Sequence, residues 1–346
     1  MPPNNGNAGE AATRVLCQLP YVIRRFYRPA TEVSPTTEKA CGKGAECKFC
    51  AALQRARELE LFDPWQELCS PLTPGVQLVN LSHSEDGQML RVDLGDDWKR
   101  MFEQLPLIGE GLVMTRNEAA ILGRRMTFPE LAFTTHGIKG ASERGGLWLD
   151  FRALGAARAV HLRCESGHIF GVEFADGAGH TIHRFTATPT SNLEMFLGWV
   201  RLHQACSEPR RASPQFEEDD AWFLAGSDAM DHGTGAGAIL SVLTACYERR
   251  LGLRATVRTR GVVQRAQFIP QSLQAIGDWW FACDDVVGLH FCTTRFTHAK
   301  IATQLNERVP RLLFYSLTDA DKPALILESG DEWQAPTWCE LLHSLT

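Results

Sequence analysis

Ile169-Phe-Gly-Val-Glu-Phe-Ala-Asp176 and Leu312-Leu-Phe-Tyr-Ser-Leu-Thr-Asp319 stand 143 residues apart and have the same form. Each is an apolar, aromatic-bearing run ending in an aspartate, which predicts a strand entering a hairpin. Working outward, other signals recur in the same order. A helix-like stretch, Trp98 to Leu107, stops at Gly109 and leads into Gly111-Leu-Val-Met-Thr-Arg116; Ile239 to Leu251 stops at Gly252 and leads into Leu253-Arg-Ala-Thr-Val-Arg-Thr-Arg260. Each set closes on an apolar helix face: Leu193, Phe196, Leu197, Val200 in one, Trp338, Leu341, Leu342, Leu345 in the other. Both follow the i, i+3, i+4, i+7 spacing. Val160-His-Leu-Arg-Cys164 and the Phe170, Val172, Phe174 series alternate with period two, the pattern of antiparallel strands with one face buried. The expected class is α+β: tandem duplicated antiparallel β-sheet repeats flanked by helices, with a ligand cleft between the repeats.

The boundaries follow from composition. Residues 1–12 are polar and read as a disordered tail. Residues 13–75 form an N-terminal cysteine-containing region, 76–206 the first repeat, 207–235 a Pro/Gly-punctuated linker and 236–346 the second, diverged repeat. A hydrophobic share of 44% with 22% charged residues is ordinary for a globular chain, and the net charge of −6 disfavours nucleic acid as a partner. No apolar run reaches the roughly 20 residues a spanning helix needs, so no membrane insertion is expected. Eleven cysteines, several inside apolar patterns (Cys246, Cys283, Cys292, Cys339), read as free thiols of a cytoplasmic protein.

Three blocks resemble the haemin-utilisation proteins of the HemS/ChuS type: Gly95-Asp-Asp-Trp98 continuing through Met101-Phe-Glu-Gln-Leu-Pro-Leu-Ile-Gly109 to Thr115-Arg-Asn-Glu118, then Gly146-Leu-Trp-Leu-Asp-Phe-Arg-Ala-Leu154, then Phe174-Ala-Asp-Gly-Ala-Gly179 with Arg184-Phe. The resemblance is good over 76–206 and weaker over 236–346. It implies paired antiparallel sheets, haem held between two repeats, and a cytoplasmic role as haem carrier or haem-degrading protein, served by a haem transporter or an electron donor. It places the family's axial histidine on Pro214, in Ser213-Pro-Gln-Phe216, which has no lone pair for a metal. A further family histidine falls on Leu122, and a late tyrosine falls near Ser329. Arg295 matches a Thr-Arg position of the second repeat, and either Arg152 or Arg158 a haem-facing arginine.

Haem asks for an iron ligand, cations for two propionates and apolar surface for the ring. Arg295 and Arg158 are the expected propionate partners, with Arg258 and Arg260 as further cations. His232, in a Gly-rich hinge, and His203, at the end of an amphipathic helix, are the candidate iron ligands. His136 and His290 read as loop and strand residues. Cys41, Cys47 and Cys50 form the alternative metal cluster, a structural zinc site lacking a fourth ligand. Gly233-Thr-Gly-Ala-Gly237 reads as a hinge and Glu217 to Asp220 as a solvated acidic run. No nucleophile elbow, phosphate loop or dinucleotide fingerprint is present. The rival expectation is a diverged scaffold of the same fold that takes another flat apolar ligand or a protein partner.

Overall fold

A computed structural model describes residues 89–345, apart from 128–130, 143, 165–166, 205–231, 235–236, 277, 304–308 and 318–321. The N-terminal region with Cys41, Cys47 and Cys50 therefore lies outside the described residues, as does most of the 207–235 linker.

The first half begins with β1 (Met89–Leu94) and α1 (Trp98–Gln104). Asp97 caps α1 by accepting from the Arg100 amide, and the helix gives way at Pro106 to a 3₁₀ turn. Gly109, at φ +84, supplies the left-handed exit that the sequence assigns to it. Then come β2 (Glu110–Arg116), β3 (Ala120–Thr127), β4 (Ala132–Phe133), β5 (Gly137–Ser142), β6 (Gly145–Asp150), β7 (Leu154–Cys164), β8 (Gly167–Asp176), β9 (Thr181–Ala187) and α2 (Leu193–His203). The second half runs β10 (His232–Thr234), α3 (Ala238–Arg249), β11 (Leu253–Thr259), β12 (Val262–Phe268), β13 (Ser272–Ile276), β14 (Trp279–Cys283), β15 (Val287–Cys292), β16 (Phe296–Ala302), β17 (Arg311–Ser316), β18 (Pro323–Ser329) and α4 (Ala335–His343). Two sequence expectations shift here. Residues 232–234 form a short edge strand beside β16 in place of the expected hinge, and α3 ends on Arg250, at φ +53, two residues before Gly252.

All pairing is antiparallel, in two nine-stranded sheets. The first has the order β1-β7-β8-β9-β2-β3-β15-β14-β13 and the second β10-β16-β17-β18-β11-β12-β6-β5-β4. The orders correspond strand for strand, but neither sheet belongs to one half. Strands β4–β6 of the first half leave their neighbours and extend the second sheet by pairing β6 with β12; β13–β15 extend the first by pairing β15 with β3. Each sheet of the expected antiparallel pair therefore takes six strands from one half and three from the other. Period-two patterns mark strands and their buried face, but an edge strand pairs equally well with a strand from either half.

The inner faces of the two sheets enclose two cores. One packs α1 and α2 against β7–β9 and β6, with Phe102 stacked on Phe174 at 4.9 Å and the Trp199 indole donating to the Met101 carbonyl. The other packs α3 and α4 against β11, β14, β15, β17 and β18, where Trp338 is buried and donates to the Pro310 carbonyl.

At the centre, the turn between β2 and β3 is pinned by Asn117. Its amide donates to the carbonyls of Arg258 (2.6 Å) and Ala324 (2.8 Å), and its oxygen accepts from the amides of Ala119 and Ala120. Beside it, the Thr115 hydroxyl donates to Gln264 across the sheets at 2.8 Å. Gln264 in turn donates to the Val113 carbonyl. The Thr-Arg-Asn-Glu block thus plays a structural part, because two of its side chains join the first half's turn to strands of the second.

Each half also hydrogen-bonds its tight turn to the strand end of the other. The Asp150 amide donates to the Gly261 carbonyl and the Cys292 amide to the Ala119 carbonyl. Gly261 sits at φ +78, and a Cβ there would collide with that of Ala153.

Asn117→Ala leaves two buried carbonyls and two amides without partners, and should lower the unfolding free energy by about 2–4 kcal/mol in urea denaturation. Gly261→Ala should cost about 2–4 kcal/mol by combining left-handed strain with overpacking. Gly198→Ala, in α2 with open space around it, should be neutral or stabilising by up to about 1 kcal/mol.

Candidate functional site

Alternation along each strand assigns the outer face of the first sheet. Leu289 and Phe291 point into the inner core, so His290 points out; Leu122 points in, so Ile121 and Gly123 point out; Val113 points in, so Leu112, Met114 and Arg116 point out. Register then lays out two rows across the seam where β3 of the first half meets β15 of the second. One row reads Arg116, Ile121, His290, Phe281. The neighbouring row reads Asp93, Arg158, Glu173, Arg184, Met114, Gly123, Gly288, Cys283.

Three properties single out this seam. First, Gly123 and Gly288 face each other across the strands, so no side chain rises from either position. A Cβ on Gly123 would stand 3.4 Å from the Met114 Cγ and 3.7 Å from a Leu112 methyl, a cradle that a Cβ would occupy in ordinary contact. Second, the surroundings are apolar and buried: Leu112, Met114, Ile121 and Phe281 are all at most 2% exposed, yet none belongs to the two inner cores. Third, His290 is 2% exposed and neither of its ring nitrogens has a hydrogen-bond partner. The Phe281 ring stacks on it at 4.1 Å and 20°. Leaving a buried imidazole unpaired costs about 1–3 kcal/mol. Burial also depresses its pKa to about 3, so the ring is neutral, with a lone pair, at any physiological pH. The Thr186 hydroxyl on the same face is also buried and unpartnered.

The corresponding seam of the second sheet, between β12 and β6, is built differently. Its equivalent of the Gly123–Gly288 pair is Arg265 opposite Gly146, and its equivalent of Ile121–His290 is Val263 opposite Trp148. The Arg265 side chain is engaged with the Thr256 hydroxyl and the Glu328 carboxylate. One seam is lined by two glycines and buried apolar side chains, and the other carries Arg265.

The residues singled out in the sequence are dispersed around this frame. Arg158 lies on the open face but four strands from Gly123, roughly 19 Å away at the usual strand spacing, with its guanidinium 3.3 Å from Asp93. Arg295 is exposed on the 3₁₀ turn that ends the strand carrying His290. Arg152 pairs at 2.6 Å with buried Asp150. His203 belongs to the packing of α2 on α1: its Nε2 meets the Gln104 side chain at 2.8 Å and its ring lies 5.0 Å from that of Trp199. Burial and the nearby Arg100 lower its pKa. His232 falls on the edge strand β10 of the second sheet, and its side chain is outside the described residues. Leu122 is core, paired with Leu289. The Ser329 hydroxyl donates to the Asp331 carbonyl. No cluster of three or more metal-binding side chains occurs among the described residues. The described thiols Cys246, Cys283, Cys292 and Cys339 are free, and burial pushes that of Cys246 up to about 12.

Sequence reasoning left His290 as a plain strand residue. The one local signal is a glycine two positions before it; the matching glycine, Gly123, is 165 positions away and meets it only through register.

A second buried histidine is structural. His183, on the inner face, is 0% exposed, its Nδ1 is 2.9 Å from the Thr115 hydroxyl, and burial lowers its pKa to about 3.

No protein-family model matches the chain, and no curated protein sequence does. Solved structures do. The haem-degrading enzyme ChuS from Escherichia coli O157:H7 superposes with a TM-score of 0.65 at 15% identity, over 74% of this chain and 86% of that one. Holo-PhuS, a haem-binding protein from Pseudomonas aeruginosa, gives 0.62 at 17% identity, over 74% and 87%. The chain has the HemS/ChuS-like fold.

Both His183 and His290 stay neutral in the fold but protonate near pH 6.5 when unfolded. The unfolded state therefore binds more protons between pH 6.5 and 3, and stability is lost as the pH drops through that window, by about 1.4 kcal/mol per pH unit per histidine. His290→Phe, which removes both unpartnered nitrogens and keeps the stack, should match or exceed wild-type stability at pH 7. It should also lose less between pH 7 and 5, as read by urea denaturation at the two pH values.

Proposed function

We propose that this protein binds haem and serves as a cytoplasmic haem carrier of the HemS/ChuS type. The observation that carries the reading is the two-sheet fold, which superposes on ChuS and PhuS over 74% of the chain. The named neighbours of the same fold, ChuS and PhuS, are haem-degrading and haem-binding proteins, which supports haem over other flat ligands.

Haem would supply the iron and the conjugated ring whose carriage, or opening by oxygen when electrons are provided, is the chemistry of that family. The chain's residues supply the rest. Arg116, at the end of the His290 row, and Arg295, on the turn after β15, offer guanidinium forks suited to the two propionates. Arg158 stays with Asp93 and Glu173 as part of a charge ladder, and His203 stays with the helix packing. Loss of the family histidine at Pro214 favours carriage over degradation.

Haemin titration of the purified protein, followed at the Soret band, should give a saturable one-to-one shift at micromolar haemin. Arg295→Ala should weaken binding severalfold with little change in Tm, since Arg295 is exposed; Arg158→Ala and His203→Ala should bind as wild type. Absence of a saturable shift would reject the reading and leave a diverged scaffold of this fold with another ligand or partner.

A further inference from the structure

We infer that the outer face of the second sheet binds the phosphate backbone of nucleic acid. Alternation assigns that face. Ala255 and Val257 of β11, Ala299 of β16, Leu312 of β17, Ala266 of β12 and Ile138 of β5 point into the inner cores. Their neighbours therefore rise on the other side, among them six cations: Lys139, Arg254, Arg258, Arg265, Lys300 and Arg311. Against them, the described strands of this face present Glu328, and Asp150 at the end of β6, which Arg152 engages. The first sheet differs. Its outer-face carboxylates Asp93, Glu110 and Glu173 are each matched by an arginine, namely Arg158, Arg125 and Arg184. The net charge of −6 thus averages over a chain whose second sheet carries a basic face.

Register sets the spacing. Lys300, Leu313, Ile326, Thr256 and Arg265 lie in one row across five strands, which puts the two cations roughly 19 Å apart at the usual strand spacing. Arg254 and Arg258 flank Thr256 on β11, and Arg311 flanks Leu313 on β17. The path from Lys300 through Arg311, Arg254 and Arg265 to Arg258 therefore advances in steps of about 8–10 Å. A line of guanidinium forks at this pitch suits a line of phosphates. Glu328 holds Arg311 at 2.7 Å, the Arg265 side chain is 40% exposed, and Arg254 donates to the neutral oxygens of Gln267 and Gly330. The apolar members of the face, Leu313, Tyr315, Ile326, Val263 and Trp148, are all at most 9% exposed. A protein partner needs apolar anchors and a membrane needs side chains to insert, whereas a phosphate backbone needs neither. With no exposed ring on the face to stack on a base, the contact is to the backbone and carries no sequence preference.

Fluorescence anisotropy of a short labelled DNA duplex tests this on the full chain. Wild type should bind at micromolar protein in about 50 mM salt and weaken with a log–log salt slope of about −3 to −5. The triple variant Arg254→Gln, Arg265→Gln, Lys300→Gln should bind at least about tenfold more weakly, with a slope shallower by about 2–3. Lys300→Gln alone, which leaves the Arg311–Glu328 pair intact, should lose about one unit of slope and serves if the triple variant lowers Tm. Arg201→Gln, at an exposed position of α2, should bind as wild type. No binding at low salt, or binding that the Arg254, Arg265 and Lys300 substitutions leave unchanged, overturns the inference. Tighter binding to phosphatidylserine vesicles than to the duplex overturns it in favour of a membrane. Competition by polyglutamate as effective as by unlabelled duplex overturns it in favour of an acidic protein.

Discussion

The structure depends on a reciprocal exchange of strands. Without β13–β15, β3 would be an open edge, and without β4–β6, β12 would be one; each half closes the other's exposed row of amides and carbonyls. Exchange of this kind requires that the two halves sit in one register, since a one-residue slip would invert every side chain. Asn117 enforces that register. All four of its hydrogen-bonding positions are used, two within its own turn and two on β11 and the residue opening β18's apolar run. A buried amide so satisfied is specific because any displacement strands several polar groups at once. The Thr115–Gln264 contact adds a second cross-link from the same block.

That exchange also creates the site. A seam between halves is a place where two strands that evolved in different sequence contexts lie side by side, and their side chains need not have been selected to fill each other's gaps. At β3–β15 the meeting residues are two glycines; at β12–β6 one of them is Arg265, held by Thr256 and Glu328. The same topology thus yields one seam packed from glycines and apolar side chains and one that carries an ion pair.

The energetics at the open seam run against folding. An imidazole with two unpartnered nitrogens and a threonine hydroxyl with none are held dry in an otherwise apolar face, each at a cost of order 1 kcal/mol or more. His183, equally buried, differs because Thr115 satisfies one of its nitrogens and ties it to the central cross-link. Two histidines with similar depressed pKa values therefore differ in their surroundings: one belongs to a hydrogen-bonded network, and the other is packed among apolar groups without a hydrogen-bond partner.

Much of the fold was legible in the sequence. The period-two run at Phe170–Phe174, the apolar run at Leu312–Tyr315, the helix stop at Gly109 and the apolar face of α2 are local signals, set by backbone periodicity and left-handed φ, and they fall where expected, whereas α4 ends at His343 before the last position of its expected face, Leu345. The resemblance carried by Thr115-Arg-Asn-Glu118 agrees with the fold, and the fold explains why that block reads so distinctly. The site was not legible. Arg158 and Arg295 stand out by residue type while Arg116 and His290 do not, because a residue's strand register and face are properties of its pairing partner. Sequence alone determined the strands, helices and class. Only the tertiary structure decided which half completes which sheet, and therefore that Gly123 and Gly288 meet beside an unpartnered imidazole. Pairing across 165 positions depends on edge satisfaction and core packing, which no local pattern encodes.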